Sequence, residues 1–349
     1  MHTCAAEASD IDFVLLWVDG EDPAWRAKKA KYLPGGDPDD TANGEQRYRD
    51  WDLLRYWFRS VETFTPWVRK VFFVTDDQWP DWLDRNAPKL VCTSHRDFIP
   101  GKYLPTFSSH TIELNLHRID GLSEQFVYFN DDTFVGRPLA PDFFFRNNLP
   151  FDLARLEPVV PHNGNGAYDH ARLNNTAIVN RHFRGRRRVF LHPGQWLLPW
   201  RNSLSGGFWN ALLAASGPFP GFADPHLPYS FRKSTLVEVW NAESDFLDHT
   251  CSHRFRDCSD VSAGVFRQWQ IASGNFIPRT RQKTGEYYAI STRSIDSLCD
   301  AIAKRQHPLF CANDSLPLSA EEFRSCRDRI DSAFRSILPK PSSFEKPAQ

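Results

Sequence analysis

Apolar residues fall into short runs separated by polar, chemically loaded turns. Ile11–Val18 (IDFVLLWV) is apolar but for Asp12 and stops at Asp19-Gly20. Its length and nearly unbroken apolar character predict a buried strand of a parallel sheet. Lys70–Thr75 (KVFFVT), the weaker Lys89–Thr93, and Gln125–Phe129 (QFVYF) repeat the pattern. Between them the period changes to that of a helix. Asp22-Pro23 opens a charged helical stretch over Ala24–Tyr32, after which Pro34–Gly44 reads as a loop. Over Tyr48–Phe64, residues Leu53, Leu54, Trp57, Phe58 and Val61 share one helical face. Thr111–Ile119 is a further helix. The alternation predicts an α/β fold, a mostly parallel sheet with helices on both faces, and ligands beyond the carboxyl ends of its strands. Asp19, Asp76 and Asp131 each follow such an end, so one crevice gathers all three.

After Gly136 the pattern loosens. Residues 137–230 are rich in Pro, Asn, Arg and aromatics, with a helical piece at Leu173–Phe183. The reading divides the chain into an α/β core over 11–136, an insertion or lid over 137–230, a part over 231–338 that completes the core, and a loose tail over 339–349. Helices are expected at Phe231–Asn241, Gly264–Ser273 and Ser319–Leu338.

Composition narrows the function classes. The 349 residues hold 42 basic and 43 acidic side chains, a formal charge of −1. A nucleic-acid partner is therefore not expected. No apolar stretch is long enough to cross a bilayer, and the N-terminal residues carry no secretory pattern, which predicts a cytoplasmic enzyme. The seven cysteines are odd in number and widely spaced, as reduced thiols are. The 12 Trp and 28 Phe suit either sugar stacking or core filling.

Candidate chemistry sits at the strand ends. Asn130-Asp131-Asp132 places two carboxylates side by side, an arrangement that a cation on a diphosphate would stabilise, although a solvated turn looks the same. Asp19-Gly20-Glu21-Asp22-Pro23 suits a nucleotide, or a plain N-cap by Asp22. Arg47, Arg49, Arg55 and Arg59, with His117-Arg118, are candidate phosphate partners or merely solvated. Arg184–Arg188 (RGRRR) is a solvated run or a contact for an anionic polymer or membrane surface. His226, held between Pro225 and Pro228 near Arg232-Lys233, is a candidate general base or a structural histidine. His253-Arg254-Phe255-Arg256 is a second cationic site. The P-loop, GxGxxG, zinc and GxSxG signatures are absent.

Together these motifs resemble the Stealth family of sugar-phosphate transferases. Its first block is similar to Ile11-Asp12-Phe13 through Trp17-Val18-Asp19-Gly20-Glu21-Asp22-Pro23. The second runs from Arg47-Tyr48-Arg49-Asp50 through Thr65-Pro66-Trp67-Val68-Arg69 and Leu104-Pro105-Thr106-Phe107 to Phe129-Asn130-Asp131-Asp132. The third is similar to Asn174–Phe183 with His226-Leu227-Pro228-Tyr229, and the fourth to His253–Arg256 with Phe266–Gly274. The resemblance implies a Rossmann-like core similar to nucleotide-sugar glycosyltransferases. It also implies transfer of sugar-1-phosphate from a donor such as UDP-N-acetylglucosamine to a glycan hydroxyl, with release of UMP. Carried over, it gives Asp132, His226, Arg256 and Asn130 catalytic roles and puts Mg²⁺ or Mn²⁺ on Asp131 and Asp132. Asp19, Gly20, Asp22, Arg55, Asp76, His117, Arg118 and Lys233 are the expected substrate-binding set. Either His226 or Asp132 serves as the base. A polysaccharide acceptor and peripheral contact with a capsule-assembly complex complete the expectation. Its alternatives are a glycosyltransferase that releases UDP, and a non-catalytic carbohydrate-binding protein.

Overall fold

The computed structural model describes residues 10–32, 49–160, 166–198, 204–279 and 284–347. The expected loop over Pro34–Gly44, and Arg47 with it, lie outside them. The central sheet contains β1 (Ile11–Leu16), β2 (Val71–Thr75), β3 (Leu90–Ser94) and β4 (Gln125–Asn130), parallel and in the order β3-β2-β1-β4. Strand β1 is buried on both faces, as its unbroken apolar run requires. Phe13 and Leu15 pack in one core layer, Val14 and Leu16 in another. Its one polar residue, Asp12, is fully buried and satisfied. Its carboxylate accepts from Arg69 and from the backbone N–H of Lys70 and Ser123.

The next strands are short: β5 (Thr133–Val135), β6 (Phe145–Arg146) and β7 (Leu149–Asp152). Then β8 (Tyr229–Arg232) joins the central sheet antiparallel to β4, with Gln125 opposite Arg232 and Tyr128 opposite Tyr229. The expected helix over Phe231–Asn241 is corrected here. Phe231 is a strand residue whose ring packs on Phe126, and the helix begins at Lys233. β9 (Ile277–Pro278) pairs with β7; β10 (Gly285–Ala289) and β11 (Leu309–Asn313) form a second sheet with β5. The molecule is thus a mixed α/β structure whose main sheet is mostly parallel.

The expected helix over Tyr48–Phe64 is shorter, Leu54–Phe64, and that over Thr111–Ile119 breaks at Asn115 into Ser109–Leu114 and a 3₁₀ turn. Gly264–Ser273 and Ala320–Ile337 fall where the apolar spacing put them. The tail is not loose. Phe344 is buried against Phe58, Arg59 forks onto Glu345 at 2.7 and 2.8 Å, and Lys346 N–H donates to the Trp82 carbonyl. Arg59 and Arg55 (over Trp82 at 5.2 Å) therefore tie structure together rather than line the sheet end, whereas Arg49 pairs at 3.1 Å with Asp314, the residue after Asn313 at the end of β11.

Candidate active site

Pairing register decides which residues meet. β1 and β4 run parallel with Leu16 opposite Asn130, so Asp19 and Asp131 leave the sheet at the same edge. β8 runs the other way. Because Tyr229 faces Tyr128, the residues just before it, His226 included, reach the carboxyl end of β4. β11 is antiparallel to β5 with Cys311 opposite Thr133, which brings Cys311 and Asn313 to Asp132. Three segments distant in sequence thus converge on one carboxylate.

Asp132 Oδ2 accepts from Asn313 Nδ2 at 2.7 Å and Cys311 Sγ at 3.3 Å, and lies 3.7 Å from His226 Nε2. Its other oxygen, Oδ1, is buried without a hydrogen-bond partner. Desolvation alone would raise this carboxyl, but bonding and charge from His226, with Asn313 and Cys311, hold it below the usual range. Cys311 is driven the opposite way, by burial and then by Asp132, so its thiol stays protonated and donates. Asp131 is pushed up to about 8, first by lost hydration in the crowded recess and then by the charges of Asp132 and Asp50. Its residue remains open to solvent, so repulsion by its two neighbours is the firmer cause. Carboxylate oxygens are hard donors, and a buried Asp132 Oδ1 without a partner beside the raised Asp131 is a donor set that suits a divalent cation. Asp132, His226 and Cys311 offer ligand atoms within 4.8 Å of one another.

His226 is held from behind. Its φ of 51° lies in the left-handed region, costly for a residue with a Cβ. Asp224 stabilises that turn: its Oδ1 accepts from His226 N–H at 3.1 Å and Tyr229 O–H at 2.8 Å, its Oδ2 from Tyr168 O–H at 3.3 Å. The Asp224 carboxyl, which burial alone would lift, is held low by the charge of Arg267, which in turn forks onto Asp152 at 2.8 Å. The rings of Tyr168 and Tyr287 stand edge-on to the imidazole.

Asn130 is oriented by Tyr128, whose hydroxyl also meets Glu113 at 3.0 Å. Arg256 approaches from the same side. Its guanidinium donates to Ser109 Oγ at 2.7 Å and acts electrostatically on Tyr128. Buried Asp260 anchors that loop through His110 (3.1 Å) and His253 (2.7 Å). On the β1 side, Gln78 bridges Asp19 and Asp22, accepting from Asp19 N–H at 3.0 Å and donating to Asp22 Oδ2 at 3.0 Å. Gly20 lies in the turn between them. Asp22 also caps the following helix through Ala24 N–H at 2.8 Å. Asp76 pairs with Lys28 of that helix, beside buried His95, which desolvation lowers to about 4.

Besides Arg55, three expected residues are elsewhere. Arg232 opposes Gln125, the first residue of β4, so Lys233 lies beyond the amino end of that strand. The two ends of β4, Gln125 and Asn130, are about 17 Å apart at 3.3 Å per residue. Lys233 Nζ donates to the carbonyls of Ile119 and Leu122; Arg118 bonds Asn115 and lies over Trp240, and His117 packs on the same ring. Lys233, His117 and Arg118 therefore serve the strand's entry, because antiparallel register puts the two ends of His226–Lys233 at opposite edges of the sheet. Asp224, Tyr168, Cys311 and Asn313 escaped the sequence reading. For the last two a signal existed: Leu309–Ala312 is an apolar run ending in Asn313-Asp314, the pattern of Phe129-Asn130-Asp131. A cavity of about 350 Å³ opens elsewhere, beside Arg137, Asp142 and Arg146, and no residue that meets Asp132 lines it.

Residues 9–37 match Stealth protein CR1, conserved region 1, and residues 47–151 match Stealth protein CR2, conserved region 2. The chain is 39% identical over 342 residues to the capsular polysaccharide phosphotransferase WcwK of Streptococcus pneumoniae, covering 97% of this chain and 99% of that one. It is 40% identical over 338 residues to the receptor polysaccharide phosphotransferase WefC of Streptococcus oralis (96% and 99%). To the exopolysaccharide phosphotransferase cps2G of Lactiplantibacillus plantarum it is 38% identical over 341 residues (97% and 96%). Among solved structures, apo mouse xyloside xylosyltransferase 1 aligns over 89% of this chain and 100% of its own at 10% identity and a TM-score of 0.34, too low to carry an argument. Near-complete coverage by relatives of this kind, together with both conserved regions, establishes that the chain belongs to the Stealth protein family of polysaccharide phosphotransferases.

Proposed function

We propose that the protein transfers sugar-1-phosphate, an N-acetylhexosamine-1-phosphate in the first instance, from a nucleotide sugar such as UDP-N-acetylglucosamine to a hydroxyl of a surface polysaccharide. The names of its relatives support phosphate transfer in polysaccharide assembly. The observation that carries the finer reading is the convergence on Asp132 of His226, Asn313 and Cys311, with a buried oxygen left over.

In this reading the acceptor hydroxyl oxygen attacks the sugar-bearing phosphorus of the donor. The new P–O bond forms as the bond to the nucleoside monophosphate breaks, and UMP leaves with that electron pair. His226 takes the hydroxyl proton, and Asp132 stabilises the imidazolium that results. Arg256 neutralises the phosphoryl oxygens, whose charge is spread in the transition state. Asp19, Gly20 and Asp22, tied by Gln78, receive the nucleoside side of a core that works as a Rossmann-like nucleotide-sugar site. Asp131 and Asp132 hold Mg²⁺ or Mn²⁺, which when bound neutralises charge on the diphosphate. Such an enzyme works in the cytoplasm, where nucleotide sugars are made.

Product analysis tests the reading. Incubation with UDP-N-acetylglucosamine, related nucleotide sugars, Mg²⁺ and oligosaccharide acceptors should yield UMP and an acceptor carrying a phosphodiester. UDP with a phosphate-free glycoside would replace phosphoryl transfer by glycosyl transfer. Saturable sugar binding with neither product across a broad donor panel would make the protein a carbohydrate-binding module.

A further inference from the structure

From His170 to Ala223 the chain contains seven arginines and no Asp or Glu, in a protein whose formal charge is −1 overall. The sequence alone left the run at Arg184–Arg188 either a solvated loop or a contact for an anionic polymer or membrane surface; it is largely a helix, Gly185–Leu191. Gly185 and Val189 face inward, and Gly185 is so close to Phe219 that a Cβ would clash. Arg186 and Arg187 then share the outer face with Phe190 and Leu191, four residues on. The helix Leu204–Ala214 packs against this one. Its Asn210 is buried, donating to the carbonyls of Ala154 and Trp196 at 2.8 Å, which turns Phe208, Trp209 and Leu212 outward at 63, 53 and 50% exposure. Six of the twelve large hydrophobic residues exposed among the described residues lie in this one stretch, Phe190–Leu212.

We infer that this two-helix face docks on an anionic lipid bilayer. Clustered arginines draw a surface toward negative headgroups, and exposed Trp, Phe and Leu beside them enter the headgroup–acyl boundary. A soluble polyanion would require the arginines and leave the aromatic residues unexplained. A second copy of the chain would set like charge against like across a two-fold axis. No helix among the described residues is long and apolar enough to cross a membrane, so the contact is with the surface. The helix Gly166–His182, 17 residues and about 25 Å long, runs from Tyr168 beside His226 to the edge of this face. A consequence, which rests on the proposed function, is that an acceptor glycan anchored at the bilayer is presented to the recess. The docking itself holds whichever group is transferred.

Co-sedimentation with vesicles tests it on the full chain without reading turnover. The protein should pellet with phosphatidylcholine–phosphatidylglycerol vesicles, stay in solution with phosphatidylcholine alone, and release as salt rises. Arg186→Ser with Arg187→Ser should weaken partitioning about five-fold per arginine. Phe208→Ser, Trp209→Ser and Leu212→Ser together should weaken it ten-fold or more with charge unchanged. Circular dichroism and turnover on a soluble acceptor should stay at wild-type levels in both variants. Wild-type protein left in solution with anionic vesicles overturns the inference, and that result needs no variant. So does full vesicle binding by the triple serine variant with competition by heparin, which would make the face a polyanion site. A wild-type dimer that the triple variant disperses would make it a self-association surface.

Discussion

The two ends of β4 lie one short strand apart and differ in how their polar groups are used. At the amino end, Lys233 donates to two carbonyls, and Arg118 is bonded to Asn115 and stacked on Trp240. At the carboxyl end, Asp132 keeps a buried oxygen without a partner, Asp131 is raised by its neighbours' charge, and His226 sits at positive φ. Both ends supplied candidate site residues in the sequence, the acidic pair at the carboxyl end being the stronger signal. The difference lies in the charged groups: the two cations of the amino end are bonded internally, leaving only His117, whose Nδ1 is buried without a partner and whose ring desolvation lowers to about 4, while the carboxyl end gathers several groups in states a folded chain tolerates only when surrounding structure enforces them. Perturbed groups gathered in a recess mark a site; saturated cations mark architecture.

The contrast makes graded predictions. Asp132→Asn should have the largest effect, lowering kcat at least 10³-fold with folding intact, because it removes the charge that stabilises the His226 imidazolium and, in the proposed reading, helps hold the divalent cation. Wild-type turnover in that variant would break the assignment outright. His226→Gln should cost about 10²–10⁴-fold in kcat and flatten the pH–rate profile, as loss of a general base does.

The pH dependence of Asp131 sharpens the carboxyl end. Its carboxyl, at about 8, binds a proton more tightly in the folded protein than in the unfolded chain. The metal-free protein should therefore be most helped by this group below about pH 4 and lose that help as pH rises through about 8. Asp131→Asn should remove the slope, raising Tm relative to wild type more at pH 8.5 than at pH 6. Calorimetry of Mg²⁺ binding in buffers of different ionisation enthalpy should show proton release below pH 8 in wild type and none in the variant. A pH-independent Tm difference would place the repulsion elsewhere.

The smallest effect on activity belongs to the amino end. Lys233→Met should leave kcat and KM within about two-fold while costing about 1–2 kcal/mol of stability in denaturant, for two carbonyls left unbonded. A hundred-fold fall in kcat would erase the distinction between the two ends.

What could be read in the chain was local. β1, β2, β3 and β4 announce themselves as apolar runs, and Gly264–Ser273 begins and ends where its periodicity does. Asp131 and Asp132 were legible because charge crowded at the end of an apolar run is expensive wherever it occurs. His226 was legible because two prolines constrain it. Lys233, seven residues on, was misplaced for want of one fact, that β8 is a strand antiparallel to β4. Phe231 carries as much helical as extended pattern over so short a span, and its partner Phe126 decides. Asn313, Cys311 and Asp224 acquire their roles only through register and contact with residues far along the chain. The four parallel strands, most helices and the acidic turns were legible along the chain, because hydrophobic period and charge crowding are properties of neighbouring residues. That β8 and β11 bring His226, Cys311 and Asn313 to those turns depended on the folded chain, because strand register and the burial it imposes join residues that sequence distance keeps apart.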